Sequence, residues 1–445
     1  MFNDRYVEDY YQMINQDVEG YYKDYQDSLD KRAAFGATYK EEVVPTLYQG
    51  FFYDEKTEKE YQKIIDTFMS IAKKVTKKYV EDEEYRKLFD FDPLTEKLIL
   101  KDPGYSIDIP IARIDIMYDE PGKFKFCEVN TDGSSAMLED QALADIYKES
   151  KIFKDFSNQY KLEKKNALEG VVDSILDLYY KEVSKKDPNV AIVDIVEFEN
   201  IEFLKIEKLF QEKGPNAKIV DVRDLKRKDG KLYAGDMEID LVYRRLVTSD
   251  LIKHQDDCKD FIDSYLNGEF TSIGSLRTSI FYTKDIFRIL RLEPTKEILS
   301  KEEYDFILNH IPFTESFNYD EKDGIIKNKD KYILKPKQGY ASHGVFIGKD
   351  LSEEEFKEKL DEIKDLDYIY QEYYTVDPMK FIKFENKDKV NLEEFSTVTG
   401  LFVYSNKLSS PYMRIGQKSM ISSLEEYYVC LLYTSPSPRD RTRSR

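Results

Sequence analysis

Arg113 and Asp115 stand two residues apart in the run from Ile109 to Tyr118, and Glu128 and Asn130 stand two apart between Phe124 and Asn130. Both runs alternate with a period of two, so each pair shares one face of a strand. Asp119-Glu-Pro-Gly-Lys123 between them is a turn signal. If residues 120–123 form the loop, Asp119 faces Phe124, Asp115 faces Glu128 and Arg113 faces Asn130. Opposed side chains in an antiparallel pair lie about 5 Å apart at Cβ. Two carboxylates at that distance repel by about 3 kcal/mol at an effective dielectric near 20. A cation between them removes the cost. Two carboxylates and an amide oxygen are hard donors that suit Mg²⁺ better than Zn²⁺. Arg113 beside them would hold a phosphoryl oxygen. The alternative is an exposed hairpin whose charges are simply solvated.

A second constellation runs from Tyr332 to Ile347: a strand ending in Lys335, a loop bearing Gly339 and Gly344, and a returning strand. Glycines let backbone N–H groups approach phosphate oxygens, and the lysine adds a point charge. The GxxxxGK[ST] pattern is absent, and many Lys-Pro turns are plain hairpins. Tyr368–Tyr374 follows, an apolar strand ending in Gln371 and Glu372, suited to reading the edge of a base. His343 lies in the loop and reads as a surface histidine; His254 and His310 have no visible partners. Three scattered histidines give little support to a Ser-His-Asp or His-Cys nucleophile. Cys127 alternates away from Glu128, which assigns it to the core. No GxGxxG follows a strand, which argues against a dinucleotide-binding dehydrogenase.

The elements that must carry these groups are legible in outline. Apolar and aromatic residues recur at helical spacing over residues 2–26 and from Glu58 to Tyr79. Helices are expected at Leu138–Glu149 and Leu162–Lys185. Val190–Val196 is an unbroken apolar run, the mark of a buried parallel strand. With a helix over Asn200–Lys213 and strands at Lys218–Val222 and Ile239–Arg245, it predicts a small three-layer α/β unit. Further on come a helix at Ser300–Asn309, a helix at Ser352–Ile363, and strands at Met379–Glu385 and Phe395–Tyr404. The division expected is 1–185 (N-terminal helices and the carboxylate hairpin), 186–280 (small α/β unit), 281–429 (nucleotide-binding and lid region) and 430–445.

The last segment, Cys430–Arg445, is basic in an otherwise acidic chain. It reads either as a disordered tail or as translated adapter read-through, which would end the native chain near Tyr428; it is set aside from the fold. The 445 residues carry a net charge of −19, 41% hydrophobic and 14% aromatic residues, and no Trp. That balance argues against non-specific binding of nucleic acid or of an anionic membrane. An anionic substrate must then be met by a local cluster of cations. The polar N-terminus is neither a signal nor a transit peptide, and three separated cysteines form no disulfide framework, which suits a reducing cytoplasm.

Arg113-x-Asp115 followed by Glu128-x-Asn130-Thr-Asp132 resembles the metal and phosphate motif of the glutathionylspermidine synthase family, carboxylate–amine ligases of the ATP-grasp class with circularly permuted order. Glu293-Pro-Thr-Lys296 resembles that family's first phosphate-binding lysine segment, Tyr332–Gly344 the second, Gln371-Glu372 its adenine hinge, and Tyr412-Met-Arg414-Ile-Gly416 its closing arginine segment. The resemblance runs from about residue 30 to 425. It implies a mixed α+β, α/β fold: a permuted ATP-grasp with a small three-layer pre-ATP-grasp-like domain and a helical N-terminal region. It implies ATP with Mg²⁺, two ions, and an ADP-forming reaction in which an amine attacks an acyl phosphate. Asp115, Glu128 and Asn130 would be the metal ligands. Arg113 would stabilise the phosphoryl group and the oxyanion. Lys296 and Lys335 would hold the α and β phosphates, with Gly339, Ser342 and Gly344 in a lid loop and Gln371 and Glu372 at the base. Arg414 would hold the γ-phosphate or the substrate carboxylate; Arg244 and Arg245 are weaker candidates on the substrate side. The partners implied are a small or peptide carboxylate and an amine, and a homodimer is compatible with the family. A phosphotransferase and a non-catalytic nucleotide-binding module are the competing readings.

Overall fold

The computed structural model describes residues 2–39, 42–339, 343–421 and 427–435. The carboxylate hairpin is its organising element. Strand Ile111–Glu120 pairs antiparallel with Lys123–Asn130, Arg113 opposite Asn130 and Asp115 opposite Glu128. Strict alternation turns Ala112, Ile114 and Ile116 to the other face. There they meet a 27-residue helix, Glu55–Glu81, capped by Asp54 accepting from the Thr57 N–H. Its stripe of Tyr61, Ile64, Ile65, Phe68, Ile71, Ala72, Val75 and Tyr79 is fully buried. The Phe68 and Phe126 rings lie 5.0 Å apart, so this apolar layer holds the hairpin from beneath.

The hairpin belongs to an eight-stranded sheet. Ile111–Glu120 pairs with the long strand Lys389–Tyr404, which pairs with Lys407–Gly416, and that strand with Tyr427–Ser435. Tyr427–Ser435 also pairs with Phe51–Tyr53 and Lys161–Glu163. A second sheet is wholly parallel, in the order Thr271–Ile273, Leu241–Arg244, Asn189–Asp194, Asn216–Asp221. Val190 and Ile192 face the helices Ala167–Glu182 and Ile201–Glu212, while Ala191 and Val193 face Phe261, Ile262 and Tyr265 of helix Lys259–Asn267. Burial on both faces explains the unbroken apolar run. The third sheet is antiparallel: Thr314–Ser316, Tyr368–Glu372, Tyr332–Pro336, Phe346–Ile347.

Three local expectations change. The N-terminal helical pattern is two helices, Phe2–Asn15 and Val18–Asp30, because Asp17 turns its carboxylate onto the Gly20 N–H and caps the second. The helix expected from Leu162 starts at Ala167, capped by Asn166, and Lys161–Glu163 is a strand. Cys430–Ser435, set aside from the fold by the sequence reading, lie in the final strand; the run Tyr427–Tyr433 is rich in aromatic and aliphatic residues and fits a pleated surface. Residues 436–445 lie outside the described residues.

Candidate functional site

A cleft of about 750 Å³ opens between the hairpin, the third sheet and the carboxyl ends of the parallel strands. Arg113, Glu128 and Asn130 line its centre; Lys335, Ile333, Ile347, Gln371 and Tyr374 line one end. Asp194, Asn200, Arg245 and Asp250 line the other. Ligands of open parallel sheets bind outside the carboxyl ends of the strands, and Asp194 and Arg245 stand at two such ends.

At the centre Asp115 is fully buried and grips two arginines. Arg113 donates from Nε to Oδ1 at 2.8 Å and from Nη2 to Oδ2 at 3.0 Å, and from Nη1 to the Ser135 carbonyl at 3.0 Å. Arg414 Nη2 donates to Oδ2 at 3.1 Å. Burial, the largest single influence, opposes the Arg113 charge, but Asp115 and Tyr412 together more than compensate and its pKa stands above the ordinary arginine value. For Asp115 burial is the larger influence and pushes its pKa up, against the two arginines. The parallel two-bond geometry is that of guanidinium on carboxylate, so the pair is ionic. The close approach depends on Gly400, opposite Asp115 in the sheet. A Cβ there would stand 2.1 Å from the Tyr412 ring and 3.1 Å from Asp115 Oδ1.

Glu128 sits 3.7 Å from Arg113 Nη2, and Asn130 Nδ2 lies 3.3 Å from Glu128 Oε1 and 3.4 Å from Asp115 Oδ2. Burial would raise the Glu128 pKa, but Lys284, Arg113, Arg414 and Lys335 together hold it down to about 2. It is therefore an ionised hard donor at neutral pH. Turning the Asn130 amide presents its oxygen beside it. Among the described residues no cluster of three His, Cys, Asp or Glu side chains forms a metal cage. Mg²⁺ needs only one or two protein oxygens when phosphate oxygens complete its shell, and Glu128 with Asn130 fits that demand. Asp115, expected as a third ligand, is brought to the site, but both of its oxygens are already engaged by arginine.

The lysines divide differently from expectation. Lys335 Nζ donates to Gln371 Oε1 at 2.8 Å and to the Cys127 carbonyl at 3.3 Å. Lys296 is not brought to the cleft: it is exposed on the short helix Glu293–Lys296 and donates to both Glu293 oxygens at 2.8 and 2.9 Å. Lys284 lines the cleft in its place and donates to the Gly339 carbonyl at 2.7 Å. Burial lowers the Lys284 pKa, with Glu128 opposing and Lys335 adding to the fall. Its signal in the sequence is a lone lysine amid Ile280, Phe281, Ile286 and Phe287, all buried, whereas Lys296 has acidic neighbours one and three residues away.

Gly339 and His343 line the cleft, and Gly344 closes the loop at φ +72°, a left-handed conformation, with no room for a Cβ beneath the Tyr368 hydroxyl. Ser342 lies outside the described residues. Gln371 is buried, its amide spent on Lys335 and on Thr314 Oγ1 at 2.9 Å. Glu372 lines the rim, 3.6 Å from Lys125. Cys127 lines the cleft and is not a core residue, because a β-bulge at its position leaves it opposite no partner. Arg244 is fully buried in an ion pair with Asp132 and serves the packing of the loop after Asn130; Arg245 lines the cleft, 2.7 Å from Glu202.

No protein-family model and no curated protein matches the chain. Among solved structures, a glutathione synthetase-like effector from Globodera pallida in its ligand-free form superposes with a TM-score of 0.57 at 12% identity, over 92% of this chain and 96% of that one. D-alanyl-alanine synthetase A from Vibrio cholerae gives a TM-score of 0.28 at 9% identity, over 54% of this chain and 89% of that one. The first likeness concerns the fold, which is of the ATP-grasp type, an α+β body of several sheets.

Proposed function

We propose that the chain is an ATP-dependent, ADP-forming carboxylate–amine ligase, similar to glutathionylspermidine synthases in joining a peptide or small carboxylate to an amine. The observation that carries the reading is the convergence on one cleft of Lys284 and Lys335, from the nucleotide end, with Arg113 and ionised Glu128 from the hairpin. Two ammonium groups can bind phosphates from one side. A buried guanidinium, aimed by Asp115, meets the phosphoryl group and the oxyanion from the other. A divalent ion held by Glu128 and Asn130 would neutralise phosphate charge. Catalysis of this kind is chiefly positioning and electrostatics. The apolar end, with Ile333, Ile347, Tyr373 and Tyr374, suits a base. Among the described residues no helix is long and apolar enough to cross a membrane; a cytoplasmic location is proposed on the ligase reading, since ATP is the co-substrate.

The test is ADP release from Mg-ATP with pooled tripeptides and pooled primary amines. Release that needs both pools supports the ligase. Release with one pool alone makes the protein a phosphotransferase, and thermal stabilisation by Mg-ATP without turnover makes it a binding module.

A further inference from the structure

Glu139 is a buried carboxylate that the reading above leaves without work. It lies in the first turn of helix Met137–Glu149, is only 8% exposed, and faces the cleft. Its neighbours are committed. Glu202 accepts from Arg245 Nη1 at 2.7 Å and from the Leu138 N–H at 2.9 Å. Asp140 is ion-paired with Lys164, and Asp132 with Arg244. Among the described residues Glu139 has no side-chain partner, only its own backbone N–H. A buried carboxylate kept without a partner is costly to a fold and is common where a proton must move.

Its place is between the two ends of the cleft. The charges that act on it are Glu202 on helix Ile201–Glu212, Arg113 on the hairpin, Arg245 at the end of strand Leu241–Arg244, and Tyr412 across the sheet. Arg113 is the group that meets the reacting carbonyl. Arg245, Asp194 and Asp250, with Lys253 beside Asp250, line the parallel-sheet end of the cleft, its far chamber, away from Lys284 and Lys335. Of the other carboxylates of the cleft, Asp194 and Asp250 are also raised by burial but face the parallel-sheet end, and three more serve a base poorly. Glu128 is held at low pKa by four cations, Asp132 is tied to Arg244, and Glu372 lies on the nucleotide rim. Burial, with Glu202 adding to it, raises the pKa of Glu139 well above the usual carboxylate range, which makes it a stronger base than a surface glutamate.

We propose that Glu139 is the proton acceptor for the attacking amine and that the far chamber, between Glu139 and Asp194, holds that amine. The proposal rests on the ligase reading. The neutral amine nitrogen attacks the acyl-phosphate carbonyl. The C–N bond forms, the C–O bond to phosphate breaks, and phosphate leaves with that electron pair. Glu139 takes the first proton, from the bound alkylammonium, to free that nitrogen for attack and later returns it to solvent. The second proton, shed by the nitrogen after attack, goes to the departing phosphate as hydrogen phosphate.

Hydroxylamine, already neutral at pH 7, traps an acyl phosphate as a hydroxamate and has far less need of a base. The experiment compares wild type, Glu139→Gln and Glu139→Asp with Mg-ATP, pooled tripeptides and either hydroxylamine or pooled primary alkylamines. In Glu139→Gln the ratio of alkylamide to hydroxamate formation falls by about 100-fold or more, and Glu139→Asp recovers part of it. The wild-type pH profile with alkylamines carries a Glu139 step on its acid limb that Glu139→Gln lacks, while the part set by the amine's own ionisation stays in both. Carboxyl ¹³C NMR of the free protein shows a glutamate titrating well above the usual range that is absent in that variant, distinct from Glu315, which burial also raises. An unchanged ratio, or no such glutamate in wild type, overturns the proposal while hydroxamate formation leaves the ligase reading standing. A wild type that forms neither product nor ADP overturns both.

Discussion

Asp115→Asn tests the electrostatic core of the site without touching its shape. In the wild type two guanidiniums converge on one carboxylate at 2.8 to 3.1 Å, and the carboxylate has no exposure to solvent. At about 3 Å and an effective dielectric near 20, each charge contact is worth roughly 5 kcal/mol before desolvation. The substitution leaves Arg113 and Arg414 facing a neutral amide and repelling each other. Breaking a buried pair by removing one partner costs about 3–5 kcal/mol net. With an unfolding entropy of about 2.1 cal/mol/K per residue, a chain of this length loses roughly 3–5 °C of melting temperature if it unfolds cooperatively. Scanning calorimetry at pH 7 without nucleotide or metal measures this directly. A variant that melts within a degree of wild type would refute the reasoning, because it would show that the arginines hold their places without Asp115. Mn²⁺ binding to the same variant is expected to persist, since Glu128 and Asn130 are the donors left open; its loss would return Asp115 to the metal shell.

Lys284→Met is expected to weaken Mg-ATP binding at least tenfold by calorimetric titration, and Lys296→Met to leave it within twofold; equal effects would remove the distinction drawn between a cleft lysine and one paired with Glu293. Gly400→Ala forces a methyl into the space of the Tyr412 ring, which stacks 5.3 Å from Phe402 and cannot retreat freely; a loss of about 1–3 kcal/mol in urea unfolding is expected, and wild-type stability would show that the strands separate more easily than their register implies. Glu128 has its folded pKa depressed from the ordinary 4.5 to about 2, so its stabilisation is complete above the unfolded pKa and is lost as pH falls from 4.5 through 2. Glu128→Gln should therefore flatten that part of the stability–pH curve, and an unchanged acid slope would mean that the four cations do not act on Glu128 as their positions require.

How much of this was readable from the chain depends on whether the signal was local. The hairpin register at its functional end follows the expected pairing, yet the intermediate steps do not: the turn is tighter, with Glu120 facing Lys123, Asp119 is extruded, and a second bulge at Cys127 shifts the ladder back. Two one-residue displacements cancel, so Asp115 still faces Glu128. The same second bulge brings Cys127 into the cleft, which simple alternation could not foresee. Capping residues such as Asp17 and Asn166 fix helix starts by single hydrogen bonds that a periodicity count overlooks.

Lys284, Lys296 and Glu139 show where local reading stops and why. A lysine next to acidic residues at helical spacing finds its partner within its own turn and remains in water. A lysine set among buried aliphatic and aromatic residues must find its counter-charge elsewhere in the chain, here at Glu128, more than 150 residues earlier by the numbering. Glu139 follows the same rule in reverse. In the sequence Glu139-Asp140 is an ordinary acidic pair in the first turn of a helix, where negative charge is favoured. The fold gives Asp140 a buried lysine in direct contact and gives Glu139, among the described residues, no side-chain partner, only the cleft, the like charge of Glu202 and the more distant charges of Arg113 and Arg245. The asymmetry between adjacent carboxylates is created by three distant segments packing on one helix terminus, and it is the feature of the site that a proton-transfer role would explain and a packing role would not.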